Sequence, residues 1–475
     1  MASVLLLADR VLDENMEEAP GVLVEDGRII AVTGSPRGYA TVRRVRGTLT
    51  PGLVDAHLHI TGLGLSLAGA DLHGSKSPEE VARRLSAAPG PVAYGRGWDE
   101  EAFNEPGRLP DRRLLDTYIP GRPAIAVRVC GHLATANTRL LAETGVHELY
   151  PGLVDSERGV LLEDAVGEAV RLALRSAPIR SLVRMAVEHI AGSGVAGVSS
   201  MQCPPSEARA LAELESRGGL PIRVSCYPEP RDVQAVRRAL ERARLAGLVG
   251  VKLFSDGSLG ARTAYLSGPY HDDPGSRGRL LMDSRAIERV AGQALSRGLR
   301  VATHAIGDAA LLEVFEAYER LGGGERLRIE HASLVPPGVE RRIAGLGVHV
   351  VVQPRFRVSD WWIEKRLGPG RARWAYRFRS LARSGARLAL STDAPVEPVE
   401  PWETFRAALG LCRAPACVRG ESLSLREALY AYTRGAAAAS GGPVALLGVL
   451  RRGAPAVFTL WRDECCMSSS LLITL

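Results

Sequence analysis

Hydrophobic and polar positions change their rhythm at about residue 50. Before it, short apolar runs separated by turn residues predict β-structure. SVLLLADRVLD reads as a strand, GVLVEDGRIIAV as a hairpin turned at Asp26-Gly27, and TVRRVRGTL as a further strand. So short a segment buries little core alone. The C-terminal run GVLRRGAPAVFTLWRD offers partners, so residues 1–50 and 442–475 are expected to build one composite β-sandwich.

Across 51–441, strand-length apolar runs alternate with long helical segments. The runs are 52–60, 194–202, 221–228, 247–257, 298–307, 326–334, 347–354 and 386–395. Several follow a glycine suited to cap the preceding helix. Eight strand–helix units predict an α/β fold, a distorted TIM (β/α)8 barrel, because helices then cover the outside while side chains fill the inside. Roughly 130 residues separate the first two runs, far more than one connection needs. They contain the helical pattern SPEEVARRLSAA and the strand-like PVAYGRGW and PAIAVRVCGHLA. About 62–165 is therefore expected to form an inserted subdomain over the barrel mouth.

Composition narrows the class. The 475 residues carry a formal charge of +7, and the basic residues are arginine except for Lys76, Lys252 and Lys365. No basic block is interleaved with aromatics, which argues against nucleic-acid binding. No apolar stretch reaches the ~20 residues of a membrane span. The N-terminus lacks a basic n-region, so no signal peptide is expected. The seven cysteines show no zinc-ribbon spacing, and Cys465 and Cys466 are adjacent and poorly placed to bridge each other. These features favour a reducing, cytoplasmic setting.

Candidate chemistry begins in GLVDAHLHI. His57 and His59, two apart on a strand, share a face with Asp55. Both rings can enter the barrel at the carboxyl end of its first strand, where barrel enzymes keep their active sites. The pair alone leaves two readings open, metal ligands or buried hydrogen-bonded histidines. Other strand ends then carry Lys252, His304, His331 and Asp393, placing four of the ten histidines at the top of the barrel. Imidazoles bind divalent metals, and a nearby carboxylate shuttles protons. A bound metal lowers the pKa of water from ~16 to ~7. Lys252 has two readings: a neutral amine that captures carbon dioxide as a metal-bridging carbamate, or an ammonium paired with Asp256 or Glu330. Its chemistry alone favours the second.

The order H-x-H, Lys, His, His, Asp on strands one, four, five, six and eight resembles the amidohydrolase superfamily. GRGWDE, GHLATANTRLL, VKLFSDGSLGARTAYL, THAIGDAAL, RIEHASLV, VVQPRF, STDAPVEPVEPW and LREALYAYTRGAA more narrowly resemble amidohydrolase family 3, which includes the N-substituted formamide deformylases. This resemblance implies two divalent ions, zinc by expectation. His57 and His59, with Asp393 at the edge, would hold one ion and His304 and His331 the other. Lys252 would bridge them as a CO2-derived carbamate. Asp393 would take a proton from a bridging hydroxide and deliver it to the leaving amine. The implied reaction is hydrolysis of a C–N bond (amide, N-formyl or cyclic amide) of a small-molecule substrate.

Further positions follow from the same resemblance. His132 would bind substrate or stabilise an oxyanion, supported by Asn137, with a capping or packing role as the competing account. Trp98, Arg262, Gln353 and Trp361 are pocket candidates, as is Trp362. His73, His147, His189, His271 and His349 join no constellation. Pro455 stands where the family commonly has Asp. The sequence leaves the oligomeric state open between a monomer and a homodimer, dimers being common in such barrels. Two other functions compete: a mononuclear deaminase, disfavoured by Lys252, and a non-catalytic metal-binding regulatory protein, disfavoured by the intact ligand set.

Overall fold

Each of the eight expected runs forms a parallel strand. The computed structural model describes residues 3–35, 41–175, 177–241, 243, 245–462 and 470–474. The barrel strands are Leu53–Leu58, Val195–Met201, Arg223–Tyr227, a broken fourth strand of Ala246–Leu248 and Gly250–Phe254, then Arg300–Ala305, Leu327–His331, His349–Val352 and Arg387–Leu390. They pair in chain order as two parallel arcs, strands one to four and four to eight.

Backbone hydrogen bonds close both gaps. Val249 N donates to Cys226 O at 3.1 Å, and Lys252 N to Pro228 O at 2.9 Å. Asp393 N donates to His57 O, and His59 N to Ala394 O, both at 2.8 Å. The second closure joins the exits of the first and eighth strands, so it also fixes His57, His59 and Asp393 relative to one another.

The local causes are readable. Burial on both faces explains runs such as VAGVSSM, every residue of which is buried. Helix Val339–Leu346 stops at Gly347, whose φ of 64° is left-handed and whose N–H bonds Ala344 O. Helix Ser284–Ser296 starts at Asp283, whose carboxylate accepts from Ala286 N. Such a cap stabilises by about 1 kcal/mol.

The chain ends form two four-stranded sheets. One orders Arg28–Val32, Val22–Glu25, Val4–Leu7 and Thr41–Arg44; the other orders Arg10–Val11, Thr48–Pro51, Val457–Trp461 and Ser470–Thr474. A single apolar cluster, including Leu6, Val24, Ile29, Leu49, Phe458 and Ile473, fills them both. The expected hairpin turns at Asp26 and Gly27, both with positive φ (47° and 71°). Pro455 lies just outside the strand Val457–Trp461. Cys465 and Cys466 lie outside the described residues.

The chain divides into two compact units. The first is 1–60, 187–256 and 265–475; the second is 61–186 and 257–264. The second unit has its own six-stranded sheet, in which Ala93–Trp98 and Ala124–Arg128 are parallel neighbours. It extends past the expected 165 because helices Asp164–Arg175 and Ile179–Gly192 supply Ala165, Val166, Ala169, Ala173 and Leu182 to its core. Among the described residues, no helix is long and apolar enough to cross a membrane.

Candidate metal centre

Strand alternation places the first side chains. Lys252, His304 and Glu330 stand on one face, because Lys252 pairs with Ala302, His304 with Phe254, and Glu330 with His304 across the ladder. His331 follows Glu330 directly and would point the other way in an extended strand. Instead it takes φ 71°, and Ala332 takes 44°. This left-handed exit brings the His331 ring within 4.5 Å of the His304 ring and 4.9 Å of the His57 ring, centroid to centroid. Asp393 leaves the eighth strand in the same way, with φ 60°. Such conformations cost about 1–3 kcal/mol each and persist only where surrounding contacts impose them.

Hydrogen bonds set the ring orientations. His57 Nδ1 faces Glu330 Oε2 at 2.5 Å, His59 Nδ1 faces the Met201 carbonyl at 3.1 Å, and His331 Nδ1 faces Gln353 Oε1 at 2.8 Å. Gln353 Nε2 donates to Ser391 Oγ, which leaves Oε1 as the acceptor. A neutral ring held in this way carries its proton on Nδ1 and its lone pair on Nε2. The Nε2 atoms of His57 and His59 lie 3.3 and 3.1 Å from Asp393 Oδ1. One ligand atom each from His57, His331 and Asp393 falls within 4.8 Å of the others. Imidazole nitrogen with carboxylate oxygen is a donor set suited to zinc and related divalent ions. This compact trio takes members from both halves of the ligand partition implied by resemblance.

Electrostatics agree with that use. Burial, and then the Lys252 charge, push the His57 imidazole well below its ordinary value. Burial and then His57 do the same to His331. Both rings are neutral, as ligands must be. Burial works against ionisation of Asp393, but His57, His59 and Lys252 hold its carboxyl below the ordinary range. Burial pushes Asp55 up to about 7 although Thr392 and the His57 N–H bond its carboxylate. Asp55 thereby ties the first strand to the eighth.

Lys252 is buried, and its Nζ has no hydrogen-bond partner among the described residues. Burial lowers its pKa to about 8. Its Nζ lies over the Phe254 ring, 4.8 Å from the centroid. The acids offered as its partners are engaged elsewhere. Asp256 accepts from the N–H groups of Tyr265, Ile306 and Gly307 and lies 3.5 Å from His304 Nε2, while Glu330 serves His57 and Arg328.

Other expected residues have different surroundings. Gln353 is buried and holds the His331 ring. Trp361 is 54% exposed, and Trp362 is buried against the Arg366 guanidinium. In the second unit, His132 Nδ1 meets Glu163 Oε2 at 2.7 Å. Asn137 does not support His132; its side chain caps helix Thr138–Thr144 and bonds Ala124, Ile119 and Arg122. Trp98 is fully buried, stacks on Phe103 and donates Nε1–H to Ala126 O. Arg262 takes φ 58° in the 257–264 segment. Sequence reasoning missed Arg328 and assigned Glu330 only as a partner for Lys252. Their signal was two opposite charges two apart on a strand buried throughout.

A (β/α)8 barrel with imidazoles and a carboxylate converging at its strand ends belongs to the class of metal-dependent hydrolase barrels. The chain is a member of the amidohydrolase family, whose profile matches residues 47–466. It is similar to the structure of an uncharacterised metal-dependent hydrolase from Pyrococcus horikoshii OT3, with 34% identity, 96% of each chain covered and a TM-score of 0.80. It is 29% identical to YtcJ of Bacillus subtilis (strain 168), covering 89% of this chain and 87% of that protein. It is 25% identical to the N-substituted formamide deformylase of Arthrobacter pascens, covering 91% of this chain and 88% of that protein.

Proposed function

We propose that this protein hydrolyses a C–N bond, amide, N-formyl or cyclic amide, in a small molecule, using two divalent ions, zinc in the first instance. The observation that carries this reading is the convergence of His57, His59 and His331 around Asp393, each with Nδ1 held by an acceptor, and with the Nε2 atoms of His57 and His59 3.3 and 3.1 Å from Asp393 Oδ1. His57, His59, His304, His331 and Asp393 would hold the ions. Such ions supply Lewis acidity toward the scissile carbonyl and lower the pKa of water to about 7.

Asp393 is the proton carrier. Its carboxylate is ionised, buried and oriented by two imidazoles, so it accepts a proton from the attacking water. It returns that proton to the leaving nitrogen as the C–N bond breaks. Lys252 completes the set as a carbamate: the fraction of its amine that has lost a proton adds to carbon dioxide, a C–N bond forms and one further proton leaves. Its buried, unpartnered Nζ and lowered pKa support this assignment. The deformylase of Arthrobacter pascens, similar along most of both chains, favours N-formyl and N-substituted amides as first substrates.

One observation favours a second reading. His57, His331 and Asp393 alone form a compact three-ligand group, which a single ion would satisfy. A mononuclear hydrolase or deaminase would use it. Metal content per chain, measured by plasma mass spectrometry on protein purified without chelator, separates the two. Two equivalents, one lost in Lys252→Ala, support the dinuclear hydrolase. One equivalent, with ammonia released from an amino-substituted ring, supports the deaminase. No metal, and none taken up with zinc and bicarbonate, removes both.

A further inference from the structure

Arg328 and Glu330 lie under the metal centre with no assigned role. Both are buried, two apart on the sixth barrel strand, and so share its inward face. Glu330 receives three contacts. Arg328 Nε bonds its Oε1, while Arg328 Nη2 at 3.0 Å and His57 Nδ1 at 2.5 Å share its Oε2. A pair serving only stability would need no imidazole at that oxygen.

The rest of Arg328 is fixed as firmly. Nη2 also donates to the carbonyl of Ala56, the residue before His57. Nη1 reaches Ser199 Oγ at 3.3 Å and the Ala439 carbonyl at 3.2 Å, and the guanidinium lies 5.1 Å from the Tyr227 ring centroid. One side chain therefore ties together strands one, two, three and six and the segment at Ala439. It also holds the peptide from which His57 projects.

The three Nδ1 acceptors differ in charge. His59 has a backbone carbonyl and His331 a neutral amide; His57 alone of these has a carboxylate. An anionic acceptor fixes the tautomer and raises the electron density on the free nitrogen more than a neutral one does. Arg328 pairs with that carboxylate inside the barrel through two of its nitrogens.

We infer that Glu330, held by Arg328, is a positioning residue that locks His57 with Nε2 unprotonated and makes it a stronger neutral-imidazole donor than His59 or His331. The inference rests on the proposed metal site and extends it to residues that touch neither ion nor substrate. It concerns geometry and charge below the site, so it has consequences in metal-free protein.

Two measurements on wild type and Glu330→Gln test it. The first is the ring 15N spectrum of histidine-labelled, metal-free protein, with the His57 signal assigned by its loss in His57→Asn. Wild type should show a proton on Nδ1 alone, and Glu330→Gln should lose that fixed state. The second is zinc affinity by competition with a chromophoric chelator. Glu330→Gln should bind about 10–100-fold more weakly, and the melting temperature of the metal-free protein should fall as well, because Arg328 loses its buried counter-charge. Gln353→Glu, which puts a carboxylate under His331, should tighten binding and keeps the inference testable if Glu330→Gln fails to fold. A fixed His57 tautomer in a wild-type protein that binds no zinc would overturn the metal site and leave the positioning intact. Zinc bound equally by wild type and Glu330→Gln, or unaffected by Gln353→Glu, would overturn the positioning role and leave the metal site standing.

Discussion

His57 Nδ1 lies 2.5 Å from Glu330 Oε2, and both side chains are buried. That bond joins the first and sixth barrel strands and decides which His57 nitrogen is free. It also shows how a ligand can be deleted without disturbing its support. Asparagine at position 57 places an amide N–H near Nδ1, so His57→Asn should keep Glu330 satisfied. The variant is expected to melt within a few degrees of the metal-free wild type and to lose at least one equivalent of metal. Plasma mass spectrometry checks this, and a full metal complement in His57→Asn would remove His57 from the ligand set.

Asp393 differs because it has chemistry to perform as well as a place to occupy. Its carboxylate is within 3.3 Å of His57 Nε2 and 3.1 Å of His59 Nε2. Asp393→Asn keeps the size and removes the proton-accepting oxygen. On an N-formyl or amide substrate, kcat should fall by about 10²–10⁴, with KM changed far less. A fall smaller than tenfold in metal-loaded protein would assign proton transfer elsewhere.

Much of this site was legible because strand ends are. Each barrel strand is a buried run, and the residues at its carboxyl end can be counted from the sequence. That places His57, His59, Lys252, His304, His331 and Asp393. Counting does not supply the left-handed turns at His331 and Asp393, because nothing in a non-glycine residue announces a positive φ that tertiary contacts impose. Glu330 was misjudged for a related reason: pairing it with Lys252 ignored Arg328, two residues earlier on the same strand face. The limits of the second unit were hidden because helices 164–175 and 179–192 show an apolar stripe whichever core they join.

Gln353 tests the neutral acceptors. Its side chain links His331 Nδ1 to Ser391 Oγ inside the barrel. Gln353→Leu removes both bonds and leaves the buried His331 Nδ1 unpaired, while Ser391 Oγ keeps its bond to the Val352 carbonyl. Such a loss costs about 1–3 kcal/mol, so metal-free protein should unfold at lower denaturant with an unchanged m-value. Zinc affinity should fall too, since the His331 ring is freed. Unchanged stability would mean that water reaches His331 from below.

His349 gives a pH-dependent prediction away from the metal ligands. It is buried on the seventh barrel strand, and its Nδ1 has no hydrogen-bond partner among the described residues. Burial, with Arg300, Arg328 and Arg387 adding repulsion, lowers its pKa from 6.5 to about 3. The folded state thus favours the neutral ring, whereas the unfolded chain protonates it near 6.5. Stability from this group is complete above pH 6.5 and is lost progressively as pH falls from there toward 3. His349→Gln removes the titration while keeping a polar side chain. Melting temperatures between pH 7.5 and 4 should decline less steeply in His349→Gln than in wild type, with the two curves converging in slope above pH 6.5. Parallel curves over the whole range would mean that His349 titrates alike in both states, and that acid sensitivity arises in the other buried histidines.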